Sequence, residues 1–214
     1  MKRDREQERT AELIRLGAAT LLEAQGNSGA LDPAIKPIHP SMKLAGPSLT
    51  VHCPAGDNLM IHHALELIRP GDVLVVDAEG FTDAGPWGDI LSTAAQSRGA
   101  AGLIIDGAIR DSEAIIGLNF PVFARGICIR GTTKSKLGSV REEISCGGVR
   151  IRQSDYVVGD RDGVVAIEQE GIDAVIRLAI EREQKEHTFR KAVQAGASTV
   201  QLLGLEPLSS LGNQ

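Results

Sequence analysis

The middle of the chain alternates short apolar strand patterns with helix patterns, and this alternation limits the folds open to it. Val73–Val76 and Leu103–Ile105 are apolar at every position, which is typical of strands buried on both faces. Between them, residues 89–98 have helical periodicity, and Gly99 stands where glycine commonly ends a helix. The pattern predicts an α/β fold with a central mixed sheet and flanking helices.

The rest of the chain supplies longer helices at both ends and short strands after the alternating region. Residues 4–24 predict one amphipathic N-terminal helix, and residues 172–195 predict a densely charged C-terminal helix. Asp106-Gly107 is interpreted as a turn that ends its strand. The other expected elements are an irregular proline-rich segment at 30–47, a strand at 49–53, a helix at 59–68, a short helix after residue 111, a strand at 121–124, a loop at 126–140, and strands at 144–145, 149–151, 156–158 and 164–167. No repeat or linker interrupts this order, so the sequence predicts a single domain over residues 1–214.

Composition argues against several classes of protein. The formal net charge is −5 with no basic stripe, which argues against nucleic acid as the main partner. Cys53, Cys128 and Cys146 lie far apart with no CxxC pair, so they are interpreted as buried thiols of a reducing compartment. The charged start of the chain and the lack of a long apolar run argue against a signal peptide and a membrane span. The sequence therefore predicts a soluble, cytoplasmic protein.

Three charged residues stand at the two ends of the central helix–strand unit. Asp89 begins the helix pattern, and Arg110-Asp111 follows the strand after twenty intervening residues. A helix that feeds directly into a strand returns the chain beside its starting point, so Asp89 is expected close to Arg110 and Asp111. Carboxylate oxygens ligate Mg²⁺ or Mn²⁺, and arginine binds a second carboxylate with two parallel hydrogen bonds. From spacing alone, however, an acid at a helix start and an exposed turn are the more frequent explanation.

Other candidate motifs are weaker. Residues 126–135 resemble a phosphate-binding loop, but Lys134 does not directly follow the second glycine as that motif requires. Residues 160–163 resemble the start of a calcium loop without its closing glutamate and are interpreted as a hairpin turn. His62 and His63 are adjacent, so they point in different directions from a helix and are assigned structural or interfacial roles. No GxGxxG sequence follows any strand pattern, which argues against a nucleotide cofactor.

The spacing of the three charged residues also resembles a family signature. Gly88-Asp89, twenty residues and Arg110-Asp111 are similar to the D-x20-R-D signature of the 4-hydroxy-4-methyl-2-oxoglutarate / 4-carboxy-4-hydroxy-2-oxoadipate aldolases, the class II pyruvate aldolases. These share a fold with the regulator of ribonuclease activity A. Residues 102–111, 120–126, 146–148 and 160–165 resemble further blocks of the family, whereas Gln153-Ser154 replaces its usual Pro-Gly. The resemblance implies a swivelling β/β/α domain that assembles into homotrimers or homohexamers with the active sites between subunits.

The resemblance also implies roles for individual residues. Asp111 would bind Mg²⁺ or Mn²⁺, largely through water, and Arg110 would hold the pyruvate half of the substrate. Asp89 would position a metal-bound water. The backbone N–H groups that follow Gly88-Asp89, those of Ile90 and Leu91, would hold the substrate carboxylate; N–H groups in the first turn of a helix are a ready anion site.

A further acid is implied from the C-terminal helix of an adjacent subunit. Counted forward from Arg110-Asp111, Glu186 is the better placed residue for this role. Glu183, three residues earlier on the same helix face, is the alternative. The distal half of the substrate is expected to contact the 30–47 segment and the neighbouring subunit.

The implied activity is metal-dependent retro-aldol cleavage of a 4-hydroxy-2-oxo dicarboxylic or tricarboxylic acid to pyruvate and an oxo acid, with oxaloacetate decarboxylation as a side activity. The alternative is a non-enzymatic regulator that binds a ribonuclease-type protein, because the regulator carries the same signature. The acid-bearing C-terminal helix favours the enzyme, since the regulator lacks it. A methyltransferase, a label that the family has often received, is disfavoured by the missing glycine-rich loop.

Overall fold

A computed structural model describes residues 2–206 of the chain, with side chains from residue 5 onward. Residue 1 and residues 207–214 of the predicted domain lie outside the described residues. The helices are α1 (Lys2–Leu16), α2 (Ala18–Ala24), α3 (Leu59–Leu65), α4 (Asp89–Ser97), α5 (Ser112–Gly117), α6 (Ile172–Gln194) and α7 (Thr199–Leu202), with a 3₁₀ turn at Gln169–Gly171. The strands are β1 (Lys36–Pro37), β2 (Leu44–His52), β3 (Val73–Asp77), β4 (Gly102–Ile109), β5 (Val122–Ile127), β6 (Ser139–Val140), β7 (Ile144–Cys146), β8 (Val149–Ile151), β9 (Tyr156–Gly159) and β10 (Val164–Ile167).

The strands form a nearly closed mixed sheet, which confirms the predicted α/β fold with its C-terminal helix. The order is β1-β5-β4-β3-β2-β9-β10, with β6 paired to β2 and a separate β7–β8 hairpin. The four central strands β2 to β5 run parallel, and β9–β10 is the expected hairpin. Residues 30–37 cross from one sheet edge to the other, because Ala30 bridges to Val165 on β10 and Lys36 pairs with Ala124 on β5.

Apolar side chains cover both faces of the central strands. Along β3, Leu74 and Val76 pack with α3, α4 and α5, whereas Val73 and Val75 face the opposite cluster, which contains Phe123 and Val157. Alternate residues of a strand point to opposite faces, so a strand apolar throughout is the one that both layers cover. A third cluster packs α1, α2 and α6 against β9 and β10.

The expected N-terminal helix over residues 4–24 is wrong in one respect, because it is two helices. Gly17 adopts a positive φ of 78° between them, a conformation that glycine accepts at little cost. The first N–H of α2, on Ala18, donates to Oδ2 of Asp160 at 2.8 Å. The start of α2 is therefore stabilised by a carboxylate 142 residues further along the chain, and helical periodicity cannot reveal such a contact.

The expected turn at Asp106-Gly107 is also wrong, because β4 continues to Ile109 with a register shift between Ile105 and Ala108. Asp106 is buried in the strand, where it accepts hydrogen bonds from Arg125 at 2.6 Å and from the Gly147 N–H at 2.7 Å.

Smaller differences from the predicted elements are α3, which ends at Leu65 instead of residue 68, and the 126–140 segment, which includes the end of β5 and all of β6. Among the helices of the described residues, none is long and apolar enough to cross a bilayer.

Candidate active site

The two ends of the central helix–strand unit meet at the carboxyl end of β4. Trp87 forms a parallel bridge with Ile109, and the Arg110 N–H donates to the Trp87 carbonyl at 2.8 Å. This pairing places Gly88-Asp89, at the start of α4, beside Arg110 and Asp111. Crevices at the carboxyl ends of parallel strands are common ligand sites in α/β folds.

Trp87 anchors this junction. Its ring is fully buried and stacks on Phe120 with ring centroids 6.2 Å apart. The indole Nε1–H donates to Ser92 Oγ at 2.7 Å, and the Ser92 hydroxyl donates to the Gly88 carbonyl at 3.1 Å. A buried indole N–H needs such a partner, and here the partner lies in the first turn of α4. The start of α4 is thereby fixed against the sheet.

The junction lines a pocket of about 230 Å³. The structure brings together in it every site residue predicted from the two ends of the unit: Gly88, Asp89, Ile90, Leu91, Arg110 and Asp111. The remaining lining residues are Asn58, His62, Gly85, Pro86, Gly131, Thr132 and Lys134.

Asp111 is held in an unusual backbone conformation at this pocket. It precedes α5 with φ 57° and ψ 36°, a left-handed conformation that aspartate tolerates better than most residues. The carboxylate Oδ2 lies 3.4 Å from Nε of Arg110, and both side chains are more than 40% exposed. Because solvent screens such a pair, it contributes little to the stability of the fold. Both side chains line the pocket, to which they present polar atoms.

Gly88 leaves room for the Asp111 carboxylate. A Cβ atom at Gly88 would collide with Oδ2 of Asp111 and lie 3.4 Å from the Arg110 side chain. The Gly88 backbone is extended, with φ −149°, so alanine would be acceptable to the main chain. The requirement for glycine is therefore the close approach of Asp111.

The Gly88→Ala variant should consequently keep its fold and lose most of any activity at this pocket, because the added methyl group displaces the Asp111 carboxylate. A displacement of this kind reduces turnover by roughly a hundredfold. Gly117→Ala is the matched control, since a Cβ there meets nothing within 4 Å. Circular dichroism measures the fold and steady-state kinetics the activity; an active Gly88→Ala protein would show that the position of Asp111 is unimportant.

Asp89 already uses one of the two backbone donors predicted to hold a carboxylate. Its Oδ1 accepts the Ile90 N–H at 2.8 Å. The N–H of Leu91 also lies in the first turn, where α-helix geometry supplies no acceptor within the helix. A bound carboxylate could take both donors only if the Asp89 side chain rotated away.

Sequence reasoning missed a second wall of the pocket. Asn58 and His62 reach it from the start of α3, and Thr132 and Lys134 reach it from the segment after β5. Partial burial, together with the nearby charges of Lys134 and His63, lowers the pKa of His62. The His62 ring is therefore neutral at pH 7 and can donate from one nitrogen and accept at the other.

Two sequence signals pointed toward this wall. One is the near-match to a phosphate-binding loop at 126–135, which contains Thr132 and Lys134. The other is the adjacent pair of histidines, of which His62 lines the pocket.

The 30–47 segment, expected to contact the distal half of a substrate, does not line the pocket within the described chain. Part of this segment, strand β1, pairs with β5 at the edge of the sheet.

The donor set fits a magnesium-type ion bound mostly through water. Asp89 and Asp111 supply hard carboxylate oxygens to the pocket, and Gly88 allows the Asp111 carboxylate to approach the start of α4 closely. Mg²⁺ commonly takes one or two carboxylates and completes its shell with water and substrate. Among the side chains that the structure describes, no group of three or more His, Cys, Asp or Glu residues could hold a metal ion by itself.

Neither candidate acid of the C-terminal helix lines the pocket of its own chain. Glu183 accepts two hydrogen bonds from Arg15 at 2.7 and 2.8 Å, which ties α6 to α1. Glu186 lies 3.0 Å from Arg182 and 3.9 Å from Arg190 on its own helix. Of the two, Glu183 is the one committed to a contact with another helix of the same chain.

Comparison with known proteins identifies relatives. The family model described as RraA-like, Aldolase/RraA, matches residues 18–166. A protein of Halalkalibacterium halodurans named "Putative 4-hydroxy-4-methyl-2-oxoglutarate aldolase" is 39% identical over 163 residues, covering 76% of this chain and 78% of the relative.

Two solved structures share the fold. Streptomyces coelicolor RraAS2, described as an unusual member of the RNase ES inhibitor RraA protein family, aligns with a TM-score of 0.77 and 29% identity over 86% of this chain and 97% of its own. A Geobacillus kaustophilus protein described as S-adenosylmethionine: 2-dimethylmenaquinone methyltransferase aligns with a TM-score of 0.63 and 35% identity over 69% of this chain and 92% of its own. The names given to these relatives span an aldolase, a ribonuclease inhibitor family and a methyltransferase.

Proposed function

Because the chain belongs to the RraA-like (Aldolase/RraA) family, we propose that it is a divalent-metal-dependent aldolase that cleaves a 4-hydroxy-2-oxo acid and releases pyruvate. The observation that carries this proposal is the convergence of Asp89, Arg110 and Asp111 on one pocket. Two carboxylates can hold a divalent ion, and a guanidinium can bind the carboxylate of a small acid, so this set is suited to a metal-assisted reaction of such an acid.

The charges of the pocket fit an anionic substrate. The basic side chains of Arg110 and Lys134 lie on different walls of the pocket. A dicarboxylic or tricarboxylic 4-hydroxy-2-oxo acid would place its pyruvate half at Arg110 and its distal carboxylate toward Lys134 and Thr132. Oxaloacetate, which also yields pyruvate enolate on losing carbon dioxide, is proposed as a second substrate.

The roles proposed for the residues are those that the family resemblance implies, and their positions in the pocket are compatible with them. Asp111 would hold the Mg²⁺ or Mn²⁺, which when bound supplies an electron-withdrawing centre for the 2-oxo acid. Arg110 orients the pyruvate half and neutralises charge on its oxygens. Asp89 holds the water that takes the proton of the C4 hydroxyl. Loss of that proton breaks the C3–C4 bond, leaves C4 as the carbonyl carbon of the released oxo acid, and passes the electron pair to pyruvate enolate, which is protonated at C3.

We further propose that the pocket is completed by a neighbouring subunit of a homotrimer or homohexamer. Ile90 on its rim is 75% exposed, and in the adjoining segment Ile129 and Leu137 are 91% and 81% exposed. Exposed aliphatic side chains on or next to pocket-lining segments favour an interaction surface there. Glu186 from the partner's C-terminal helix is the acid proposed to reach the site. Glu183 is engaged with Arg15 on another helix, whereas the ion pairs of Glu186 lie within α6.

Subunit mixing tests this shared site. Asp111→Ala and Glu186→Ala proteins should each be inactive, and unfolding and refolding them together should restore activity. In a random mixture about a quarter of the interfaces pair two intact halves. Asp111→Ala mixed with Arg110→Lys is the control, because both changes damage the same half, and mixing should restore no activity beyond the residual activity of Arg110→Lys. An active Glu186→Ala protein, or no recovery with an intact oligomer, would exclude the role of Glu186.

A regulator that binds a ribonuclease-type protein is the second candidate, because the RNase ES inhibitor family shares this fold at 29% identity. Such a protein would need the exposed aliphatic surface and not the polar pocket. Inhibition of a ribonuclease together with no pyruvate release would favour this function.

A lactate-dehydrogenase-coupled assay separates the candidates. The wild-type protein with Mg²⁺ is offered oxaloacetate and a panel of 4-hydroxy-2-oxo acids that differ in their distal carboxylates. Pyruvate release from at least one of them is expected, and release from none would contradict the proposal. A parallel incubation with S-adenosylmethionine and 2-dimethylmenaquinone tests the activity for which the Geobacillus relative is named.

A further inference from the structure

Asp57 is a buried carboxylate that lies between the two elements of the second pocket wall. It immediately precedes Asn58 and α3, and only 1% of its surface is exposed. It is not a lining residue of the pocket. A buried carboxylate is costly unless hydrogen bonds compensate it, so its partners indicate what it does.

The partners of Asp57 lie in two segments. On one side, Oδ1 accepts the Leu59 N–H at 2.8 Å in the first turn of α3. On the other side, Oδ2 accepts the Thr133 hydroxyl at 2.6 Å and the N–H groups of Ser135 and Lys136 at 2.7 and 3.2 Å. One side chain therefore joins the start of α3 to residues 133–136.

These two segments are the ones that carry the second wall. Asn58 and His62 stand at the start of α3, and Thr132 and Lys134 stand beside the residues that donate to Asp57. Backbone hydrogen bonds also connect the two segments, since the Asn58 N–H donates to the Thr133 carbonyl and the Thr133 N–H donates to the Gly56 carbonyl.

The charge on Asp57 strengthens these bonds. Burial alone would raise its pKa, but hydrogen bonds from Thr133, Leu59, Ser135 and Lys136 outweigh burial and hold the pKa of Asp57 well below its usual range. The carboxylate is therefore ionised at neutral pH, and an ionised acceptor forms shorter and stronger hydrogen bonds than a neutral one.

We propose that Asp57 is a positioning residue that fixes Thr132 and Lys134 opposite Asn58 and His62 and so sets the geometry of the second wall. The contacts of Asp57 and its neighbours hold residues 133–136 in place whatever the activity of the protein. Its kinetic consequence, a change in substrate affinity, rests on the function proposed above.

Asp57→Asn tests this role. The amide keeps the shape of the carboxylate, but it has one acceptor oxygen and turns an NH₂ group toward other donors. Trypsin should cut after Arg130, Lys134 or Lys136 on the order of tenfold faster in the folded variant, the fold-change expected when a charge-assisted hydrogen bond is lost. The KM for the active oxo acid should rise by roughly tenfold or more, with kcat changed much less, because binding residues are displaced while Asp89 and Arg110 stay in place.

Asp155→Asn is the matched control. Asp155 is also buried and accepts backbone N–H groups from Arg152 at 2.8 Å and Gln169 at 3.1 Å, away from the pocket. It should leave both the tryptic cleavage and the KM unchanged, even if it lowers the melting temperature.

Thr133→Val provides a second, milder variant, because it removes one donor to Asp57 and keeps the shape of the side chain. It should show a smaller increase in tryptic cleavage than Asp57→Asn, and it decides the question if Asp57→Asn does not fold. Cleavage and KM equal to wild type in the folded variants would overturn the proposal. Faster cleavage in a protein that releases no pyruvate in wild-type form would support the positioning role and contradict the aldolase function separately.

Discussion

Replacing Asp111 with alanine should abolish pyruvate release in Mg²⁺, with kcat/KM reduced by roughly a thousandfold or more. A divalent ion is worth several kcal/mol of transition-state stabilisation, and about 1.4 kcal/mol corresponds to each factor of ten in rate. Asp111 supplies a carboxylate to the pocket beside Arg110, and Gly88 accommodates the close approach of that carboxylate.

A second variant is needed because the left-handed backbone of Asp111 disfavours alanine. Its φ of 57° is a left-handed conformation that costs alanine roughly 1 kcal/mol, so Asp111→Ala combines lost charge with strain. Asp111→Asn keeps the conformational tolerance and removes only the charge. Both variants should be inactive, whereas Asp83→Ala, at an exposed aspartate that does not line the pocket, should be unaffected. Metal-dependent turnover by Asp111→Asn would exclude a role for this carboxylate in holding the ion.

The second large effect is expected for Arg110→Lys, which keeps the positive charge and loses the planar, two-pronged donor group. Lysine offers a point charge on a flexible stem, so turnover should fall by roughly a hundredfold. The fold should be unchanged, because Arg110 contacts Trp87 through its backbone N–H. Arg98→Lys, an exposed change at the end of α4, is the control. Activity equal to wild type in Arg110→Lys would show that the guanidinium does not orient the substrate.

The local part of the candidate site could be predicted from the sequence. The helix that begins at Asp89, the glycine after it at position 99 and the strand that leads to Arg110 are all encoded within one continuous segment. Because a helix and its following strand return the chain to its start, residues at the two ends were expected to be close, and they line one pocket.

Contacts between distant segments could not be predicted. The break at Gly17 depends on Asp160, and the burial of Asp106 within β4 depends on Arg125 and Gly147. Periodicity and turn propensity describe neighbours along the chain, so each of these features was interpreted as its local pattern suggests. Such patterns carry no information about a carboxylate or guanidinium that arrives from another element.

The second wall was missed for the same reason. Lys134 lies 72 residues after His62, and the two segments meet through Asp57 and the backbone of Thr133. The pattern around Lys134 resembled a motif of a different function, and His62 was hidden in an adjacent pair of histidines. Only the fold shows that both residues line the pocket of Asp89 and Arg110.

Removal and return of the metal ion test the central claim most directly. The protein is treated with EDTA, freed of chelator, and assayed for pyruvate release from its best oxo acid before and after addition of Mg²⁺ or Mn²⁺. Lactate dehydrogenase is checked separately with added pyruvate under each condition. We expect no release from the stripped protein and full recovery with either ion in the wild type, but no recovery in Asp111→Asn. Full activity in the presence of EDTA would contradict a metal-dependent aldolase at this pocket.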